Sequence, residues 1–201
     1  MQSLELEELY ASFTQQMHKI GKEEQELVFS SGSKHAKVML IGEAPGKNEV
    51  LQRKPFVGKA GANLESFLEG ISLKREELFV TNTVKFRPYR VSPKGTIANR
   101  PPTRKEVEIC ADYLLREIDI VRPRLIVSLG NIALGAVGQD RSLLIGQVHG
   151  QMLSVSIKGI AYPLYPLYHP ASILYNPKLK STYLKDMEQL KHHIAALDSF
   201  S

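Results

Sequence analysis

Two apolar segments of this chain each stop abruptly at a short turn, and both turns carry residues that could do chemistry. The first segment ends at the turn 42–46, Gly-Glu-Ala-Pro-Gly, and the second ends at Tyr168, directly before His169 and Pro170. In open α/β sheets, ligands bind outside the carboxyl ends of strands, where backbone N–H groups and short polar side chains converge. The pattern therefore predicts that both turns build one pocket.

The first turn does not match a phosphate-binding loop, although its composition suggests one. Its glycines stand one residue too close together, and Asn48 occupies the position of the magnesium-binding hydroxyl. By itself, this turn is typical of a structural exit from a strand.

An amide and an aromatic ring are further candidates. Asn82 ends another predicted strand, and its side chain can read the edge of a pyrimidine by accepting a hydrogen bond from N3–H while donating to O4, whereas cytosine presents the opposite pattern. A turn-capping Asn is the alternative. Phe56 precedes a predicted helix and could lie over a planar ligand, although a buried Phe usually belongs to the core.

The histidine after the second apolar segment is the candidate for proton chemistry. The proline that follows His169 keeps this histidine extended, so its ring is expected to point out of the sheet edge. A histidine here could also merely cap the adjoining turn. The remaining histidines gain no role from their spacing.

Basic residues gather in one loop and at the start of the helix after it. They are Lys85, Arg87, Arg90, Lys94, Arg100, Arg104 and Lys105. A cationic loop beside the pocket suits contacts with phosphates, and a solvated loop without a partner is the alternative. The net charge of +5 is only a mild indication of a polyanionic partner, so the local cluster is the better evidence.

Composition limits the class of protein. A chain of 201 residues can form one sizeable core, so residues 1–201 are predicted to be one domain. The single cysteine, Cys110, excludes an internal disulfide and any metal site built from several cysteines of this chain. No apolar run reaches the length of a membrane span, and the acidic start is unlike a signal peptide, so a cytoplasmic protein is expected.

Hydrophobic periodicity predicts alternating helices and strands. Helices are expected over residues 3–20, after Gly58, from Thr103, over 133–137 and around 184–197, and strands over 36–41, 78–84, 125–130, 152–157 and 161–168. Residues 85–102 have no periodicity and are expected to form a loop. Such alternation favours a mostly parallel sheet covered by helices on both faces, with residues 1–30 as a helical segment packed on it.

Five motifs, taken in order, resemble the uracil-DNA glycosylase superfamily, most closely its family 4. They are residues 42–46, 54–61 (Lys-Pro-Phe-Val-Gly-Lys-Ala-Gly), 81–85 (Thr-Asn-Thr-Val-Lys), 99–103 (Asn-Arg-Pro-Pro-Thr) and 169–171 (His-Pro-Ala). The resemblance implies a single-domain, three-layer α/β/α fold with a four-stranded, mostly parallel central sheet. It also implies an enzyme that hydrolyses the N-glycosidic bond of uracil flipped out of DNA and leaves an abasic site.

The resemblance further implies roles for residues of the pocket. Phe56 would stack on the flipped uracil, and Asn82 would read its O4 and N3 edge. Glu49 would lie near C5 and exclude the methyl group of thymine. Gly42 belongs to the same substrate-binding set. His169 would donate to uracil O2, where negative charge develops in the transition state.

The matched motifs also imply positions for water and for DNA. Glu43 and Ala44 would flank the attacking water, and Ala44 replaces an aspartate of other superfamily branches, so a strong general base is not evident. The implied DNA-binding residues are Arg87, Arg90, Arg100, Ser172, Ile173 and Leu174. Ile173 matches the wedge that fills the vacated stack, with Leu174 as the adjacent alternative.

The resemblance is incomplete at the cysteines. Family 4 members usually carry four cysteines that hold a [4Fe-4S] cluster, but only Cys110 matches here, and Phe86 stands at another of the cluster positions. We therefore predict no iron–sulfur cluster, no other cofactor and no metal. The expected partner is uracil-containing DNA, and the protein is expected to be a monomer without membrane association. Two alternatives stay open: a non-catalytic DNA-binding or damage-sensing protein of the same fold, and a binder of free nucleotides or nucleobases.

Overall fold

The computed structural model describes residues 2–198 and contains one large sheet surrounded by helices. The α-helices are α1 (Gln2–Lys19), α2 (Lys47–Gln52), α3 (Lys59–Gly70), α4 (Arg104–Val121), α5 (Gly130–Gly138), α6 (Ile145–Val148), α7 (Pro170–Tyr175) and α8 (Lys180–Asp198). The strands are β1 (Ser31–Gly32), β2 (Val38–Gly42), β3 (Phe79–Asn82), β4 (Tyr89–Val91), β5 (Ile97–Asn99), β6 (Leu125–Leu129), β7 (Leu153–Ile157) and β8 (Ile160–Leu167). Within residues 2–198, no helix combines the length and the apolar character needed to cross a membrane.

The large sheet has the strand order β1-β3-β2-β6-β8-β7. Its central strands β3, β2, β6 and β8 run parallel, and β1 and β7 pair antiparallel at the two edges. The predicted α/β class with a mostly parallel sheet is confirmed, but the predicted number of four strands is wrong, because the sheet has six. The number four came from the family resemblance. Of the two additional strands, β7 corresponds to the strand predicted over 152–157, whereas β1 has only two residues and is too short to show a pattern.

Side chains of the parallel strands alternate between two apolar clusters, which makes the fold three layers. In β2, Val38 and Leu40 pack towards α3 and α8, where they meet Phe67 and Tyr183 among others. Met39 and Ile41 of the same strand belong to the opposite cluster, with residues of α4 and α5. This alternation follows from the two-residue period of a strand.

The register of the parallel strands brings the candidate residues to one edge. Gly42, the last residue of β2, pairs with Asn82, the last residue of β3. Leu129 of β6 pairs with Leu167 of β8, which lies two residues before His169. The predicted meeting of the two turns at the carboxyl edge is therefore confirmed.

The basic loop contains a hairpin that the sequence pattern did not indicate. β4 and β5 pair antiparallel from Tyr89–Asn99 to Val91–Ile97 and form a separate two-stranded sheet. Tyr89, Val91 and Ile97 are all exposed. Because the hairpin has no buried face, its sequence carries no alternation of apolar and polar residues that could reveal it.

Candidate active site

The floor of the site is formed where Gly42, Asn82 and Phe56 meet. Asn82 is only 2% exposed, although it is polar. A Cβ atom placed on Gly42 would lie 2.4 Å from Asn82 Oδ1 and 2.4 Å from Phe56 Cζ. Position 42 therefore has no room for a side chain, and the amide and the phenyl ring are brought together across its backbone.

Phe56 adopts a left-handed backbone conformation, with φ of 54°, which is unfavourable for a bulky residue. Arg75 holds it there: its guanidinium donates to the Phe56 carbonyl oxygen at 2.6 Å and also to the Pro55 carbonyl oxygen. Gly61 permits the same bend, because a Cβ there would lie 1.9 Å from the Phe56 carbonyl oxygen. The ring orientation is thus set by residues distant in sequence.

Glu49 braces the two glycine turns beside the floor. Its Oε2 atom accepts from the Gly46 N–H at 3.1 Å, and its Oε1 atom accepts from the Gly58 N–H at 2.9 Å. The first contact begins α2, and the second fixes the residue that precedes α3. Both carboxylate oxygens therefore have backbone partners, so the position of Glu49 is well defined.

His169 is the N-cap of α7, with Pro170 as the first helical residue. Its Nδ1 atom accepts from the Ala171 N–H at 3.2 Å, so in the neutral ring the proton lies on Nε2. Burial lowers the pKa of His169 to about 4, and the charge of Glu49 opposes that effect only in part. The ring lies 5.9 Å from the Phe56 ring between centroids, at an interplanar angle of 27°. A neutral imidazole with an Nε2–H donor therefore lies next to the pocket floor.

A cleft of about 390 Å³ opens above this histidine. Its lining comprises Glu43, Ala44, Pro45, Pro88, Asn99, Arg100, Pro101, His169, Ala171, Ser172 and Tyr175. Burial raises the pKa of Glu43, and no group within residues 2–198 donates a hydrogen bond to its carboxylate. The cleft thus brings Glu43, Ala44 and His169 together, while Phe56 and Asn82 lie at the floor next to it.

The three candidate arginines have different surroundings. Arg100 forms a bidentate ion pair with Glu106, with both N–O distances at 2.7 Å, and this pairing lowers the pKa of Glu106 to about 2. The Arg87 Nε–H donates to Asn99 Oδ1 at 2.7 Å. Arg90, on the exposed hairpin, has no ion pair with a residue in the described part of the chain. Arg87 and Arg90 thus both lack an ion pair within residues 2–198, and Arg90 is the more exposed of the two.

The candidate DNA contacts of α7 also differ from one another. Ser172 lines the cleft. Ile173 is 7% exposed and packs in the core, whereas Leu174 is 49% exposed. Between the two candidate wedge residues, only Leu174 projects from the surface.

Sequence reasoning missed two groups beneath the floor: Arg75, and an ion pair of Lys85 with Glu117. Lys85 and Glu117 are 1% and 0% exposed. Lys85 lies in the motif 81–85, so its proximity to Asn82 was a usable signal, but a lysine in a basic cluster is ordinarily expected at the surface. Nothing in the sequence near Arg75 indicates its main-chain partners, the carbonyl groups of Pro55 and Phe56.

The surroundings of Cys110 do not fit an iron–sulfur cluster. The thiol is fully buried in an apolar cluster with Phe86, Phe13 and Tyr113 among others, and burial raises its pKa to about 11. A cluster needs several thiolates, and the chain has one cysteine. Across the part of the chain that the structure describes, no group of three or more His, Cys, Asp or Glu side chains could hold a metal ion.

Comparisons with known proteins agree with this geometry. The model of the uracil DNA glycosylase superfamily matches residues 29–191. A type-4 uracil-DNA glycosylase of Archaeoglobus fulgidus is 38% identical over 162 residues, which cover 79% of this chain and 77% of that protein. The protein of the same name from Pyrobaculum aerophilum is 39% identical over 153 residues, covering 75% and 74%. That of Thermotoga maritima is 32% identical over 171 residues, covering 84% and 83%.

A solved structure supports the fold. The crystal structure of Pedobacter heparinus SMUG2 aligns with a TM-score of 0.54, covering 82% of this chain and 77% of that one. The sequence identity is 12%, so this likeness concerns the fold alone.

Proposed function

We propose that this chain, which belongs to the uracil-DNA glycosylase superfamily, hydrolyses the N-glycosidic bond of uracil flipped out of DNA and leaves an abasic site. The observation that carries the proposal is that Asn82 and His169, which follow separate strands, both lie beside the Phe56 ring. The Asn82 amide and the Phe56 ring meet at Gly42, and the His169 and Phe56 ring centroids are 5.9 Å apart. An imidazole donor and a buried amide beside one aromatic ring suit a flipped pyrimidine.

The pocket floor would select uracil by shape and by hydrogen bonding. Phe56 would provide a flat apolar face on which the base stacks, and Gly42 lets the Asn82 amide and the Phe56 ring come together. The Asn82 amide accepts from N3–H and donates to O4, and a cytosine in the same position would leave both partners unsatisfied. Glu49, fixed by the two glycine turns, would exclude a methyl group at C5.

His169 would stabilise the departing base. Cleavage of the glycosidic bond leaves negative charge on uracil O2 and N1, and a donor placed at O2 binds this charge more strongly than the neutral carbonyl. Because the pKa of His169 is lowered to about 4, the ring is neutral at pH 7 and donates from Nε2–H. It therefore acts as a hydrogen-bond donor and not as a proton source.

Glu43 and Ala44 would flank the attacking water. The Glu43 carboxylate has no competing hydrogen bond within residues 2–198, so it can orient water and stabilise the positive charge that develops on the sugar. Ala44 supplies no second carboxylate. The reaction would therefore depend on leaving-group stabilisation, with water attacking an oxocarbenium-like sugar late.

Residues of the cleft and of the hairpin would hold the DNA. Arg100 and Ser172 line the cleft, Arg90 is exposed on the hairpin, and the half-buried Arg87 donates to Asn99 of the same hairpin. Of the two wedge candidates, we assign the vacated stack to Leu174, because Ile173 is committed to the core.

We also propose that catalysis needs no iron–sulfur cluster, because one buried thiol cannot hold it. Purified active protein is expected to contain no iron and to keep its activity after dialysis against a chelator. Loss of activity on chelation would contradict this. The expectations of a monomer in the cytoplasm stay predictions, and light scattering tests the first.

The decisive assay is excision from oligonucleotides that contain one uracil, single-stranded and paired, followed by alkaline cleavage at abasic sites. We expect cleavage only where uracil was present, with matched thymine and cytosine oligonucleotides uncut. Tight DNA binding without cleavage would support the non-catalytic DNA-binding protein instead. Binding of free uracil without binding of DNA would support a nucleobase binder.

A further inference from the structure

An ion pair is buried directly beneath the strand that carries Asn82. The Lys85 Nζ atom lies 2.5 Å from Glu117 Oε2, and the two side chains are 1% and 0% exposed. Removing both charges from water is costly, and the attraction between them often fails to repay that cost when compared with an apolar pair. Stability alone is therefore a weak explanation for this pair, and its contacts point to another role.

All three N–H donors of the Lys85 ammonium have partners. Besides Glu117, they are Thr81 Oγ1 at 2.7 Å and the main-chain carbonyl oxygen of Asn82, also at 2.7 Å. An ammonium group has only three donors, so this set fixes its position. The residue at the end of β3 is thus held from below by a buried cation.

The peptide group after Asn82 is held at its other end as well. The Thr83 N–H donates to the Gly42 carbonyl oxygen at 2.8 Å, and the Thr83 hydroxyl donates to the same oxygen at 2.9 Å. The carbonyl of this peptide binds Lys85, and its N–H binds Gly42. Both bonds together leave little freedom for the backbone from which the Asn82 amide projects.

A third element completes the network. The Tyr10 hydroxyl of α1 donates to Glu117 Oε1 at 2.8 Å and pairs with Ser30 Oγ at 2.7 Å. Glu117 therefore has partners on both carboxylate oxygens, and it keeps Lys85 oriented towards β3. The N-terminal helix is joined in this way to the base-reading strand.

We propose that Lys85 is a positioning residue, which sets the Asn82 amide against the base by anchoring the Asn82 carbonyl, and that Glu117 holds Lys85 for this purpose. The inference rests on the proposed function, since it assigns Asn82 to base reading. Reacting groups must be placed closely, and a displacement of about 1 Å can cost about 10²-fold in rate. Loss of the anchor is therefore expected to slow excision even when the fold survives.

The test compares the wild type with a double variant, Lys85→Met with Glu117→Gln, which removes the ammonium donor to Asn82 without leaving an unpaired buried charge. We expect the double variant to lose about 10- to 10²-fold in kcat relative to the wild type, with KM for uracil-containing DNA nearly unchanged. Both proteins are compared at temperatures below their measured melting points.

A matched control removes an exposed ion pair, Lys34→Met with Glu7→Gln, and is expected to leave kcat unchanged. Equal kcat in the wild type and the double variant would overturn the proposal, as would an effect confined to KM. If the double variant does not fold, Lys85→Gln with Glu117→Gln replaces the pair by two neutral side chains that can hydrogen-bond to each other, and this variant also lacks the ammonium anchor. An unchanged kcat in that variant would contradict the positioning role.

Failure of this inference is distinguishable from failure of the proposed function. If the wild-type protein excises no uracil, the proposed function fails. If the wild type excises uracil and the anchor variants do so equally well, only the role of Lys85 fails.

Discussion

Burial favours the neutral form of both titratable side chains in the cleft, Glu43 and His169. It raises the pKa of Glu43 and lowers that of His169 to about 4. For His169 the neutral form is the useful one, because Nε2–H remains a donor. For Glu43 the useful form is the carboxylate, so at this residue the needs of catalysis oppose those of stability.

Glu43→Gln is therefore expected to stabilise the protein at pH 8 and to slow excision. A carboxyl group whose pKa is raised by folding destabilises the native state above that pKa, and this penalty disappears as the pH falls and the group takes up a proton. The melting temperature of Glu43→Gln should exceed that of the wild type by more at pH 8 than at pH 4. Thermal melts of both proteins at both pH values measure this difference, and Glu69→Gln, on an exposed part of α3, is the control. A variant less stable than the wild type at pH 8 would refute this reading.

Arg75→Met tests whether the bend at Phe56 is held from outside. The variant leaves the carbonyls of Pro55 and Phe56 without their partner, at a cost of about 1–3 kcal/mol. In a protein of this size, about 1 kcal/mol corresponds to roughly 2–4 °C in melting temperature. We expect a lower melting temperature and slower excision. Unchanged kinetics would show that the ring keeps its place without Arg75.

At the scale of elements, α7 separates two adjacent apolar residues into different roles. Ile173 packs in the core, and Leu174 projects from it. Ile173→Ala is expected to destabilise the fold by about 2–5 kcal/mol. Leu174→Ala should leave the melting temperature unchanged and should slow excision from paired DNA more than from single strands, because only a duplex has a stack to fill. An equal decrease in the excision rate on both substrates would show that Leu174 does not fill the vacated stack.

The hairpin of β4 and β5 carries the charge with the clearest access to DNA. Arg90→Gln is expected to flatten the salt dependence of duplex binding by about 0.9 in the slope of log K against log salt, the value for one phosphate contact. Arg100→Gln should change the slope less, because its charge is already paired with Glu106. Titrations at several salt concentrations measure both slopes. Equal slopes for the wild type and Arg90→Gln would show that Arg90 contacts no phosphate and that the hairpin is only a solvated segment.

Sequence patterns were sufficient for elements with a buried face and insufficient for those without one. The apolar runs and the Thr103 capping box predicted the parallel strands and the start of α4. The hairpin and the short helices α2 and α7 have too few residues or too much exposure to show a period. Because ligands bind at the carboxyl ends of parallel strands, the sequence predicted that the turn 42–46, Asn82 and His169 would meet. It could not predict Arg75, whose contacts depend on tertiary packing.

At the scale of the whole molecule, the three apolar clusters connect the site to the rest of the chain. Two clusters cover the faces of the sheet, and the third joins α1 to α4 around Phe86 and Cys110. In this third cluster, Phe13 of α1 packs on Tyr113 of α4 with ring centroids 4.7 Å apart. Aromatic packing therefore joins the N-terminal helix to α4.

The central claim is that a neutral imidazole and a buried amide act on one flipped uracil. Its most direct test is the single-turnover rate of uracil release by the wild type and by His169→Ala, measured on the same oligonucleotide together with DNA affinity. We expect the variant to lose about 10²–10³-fold in rate, as for the removal of one donor to a developing anion, with DNA affinity nearly unchanged. An unaffected rate, or a wild type that releases cytosine as fast as uracil, would contradict the account.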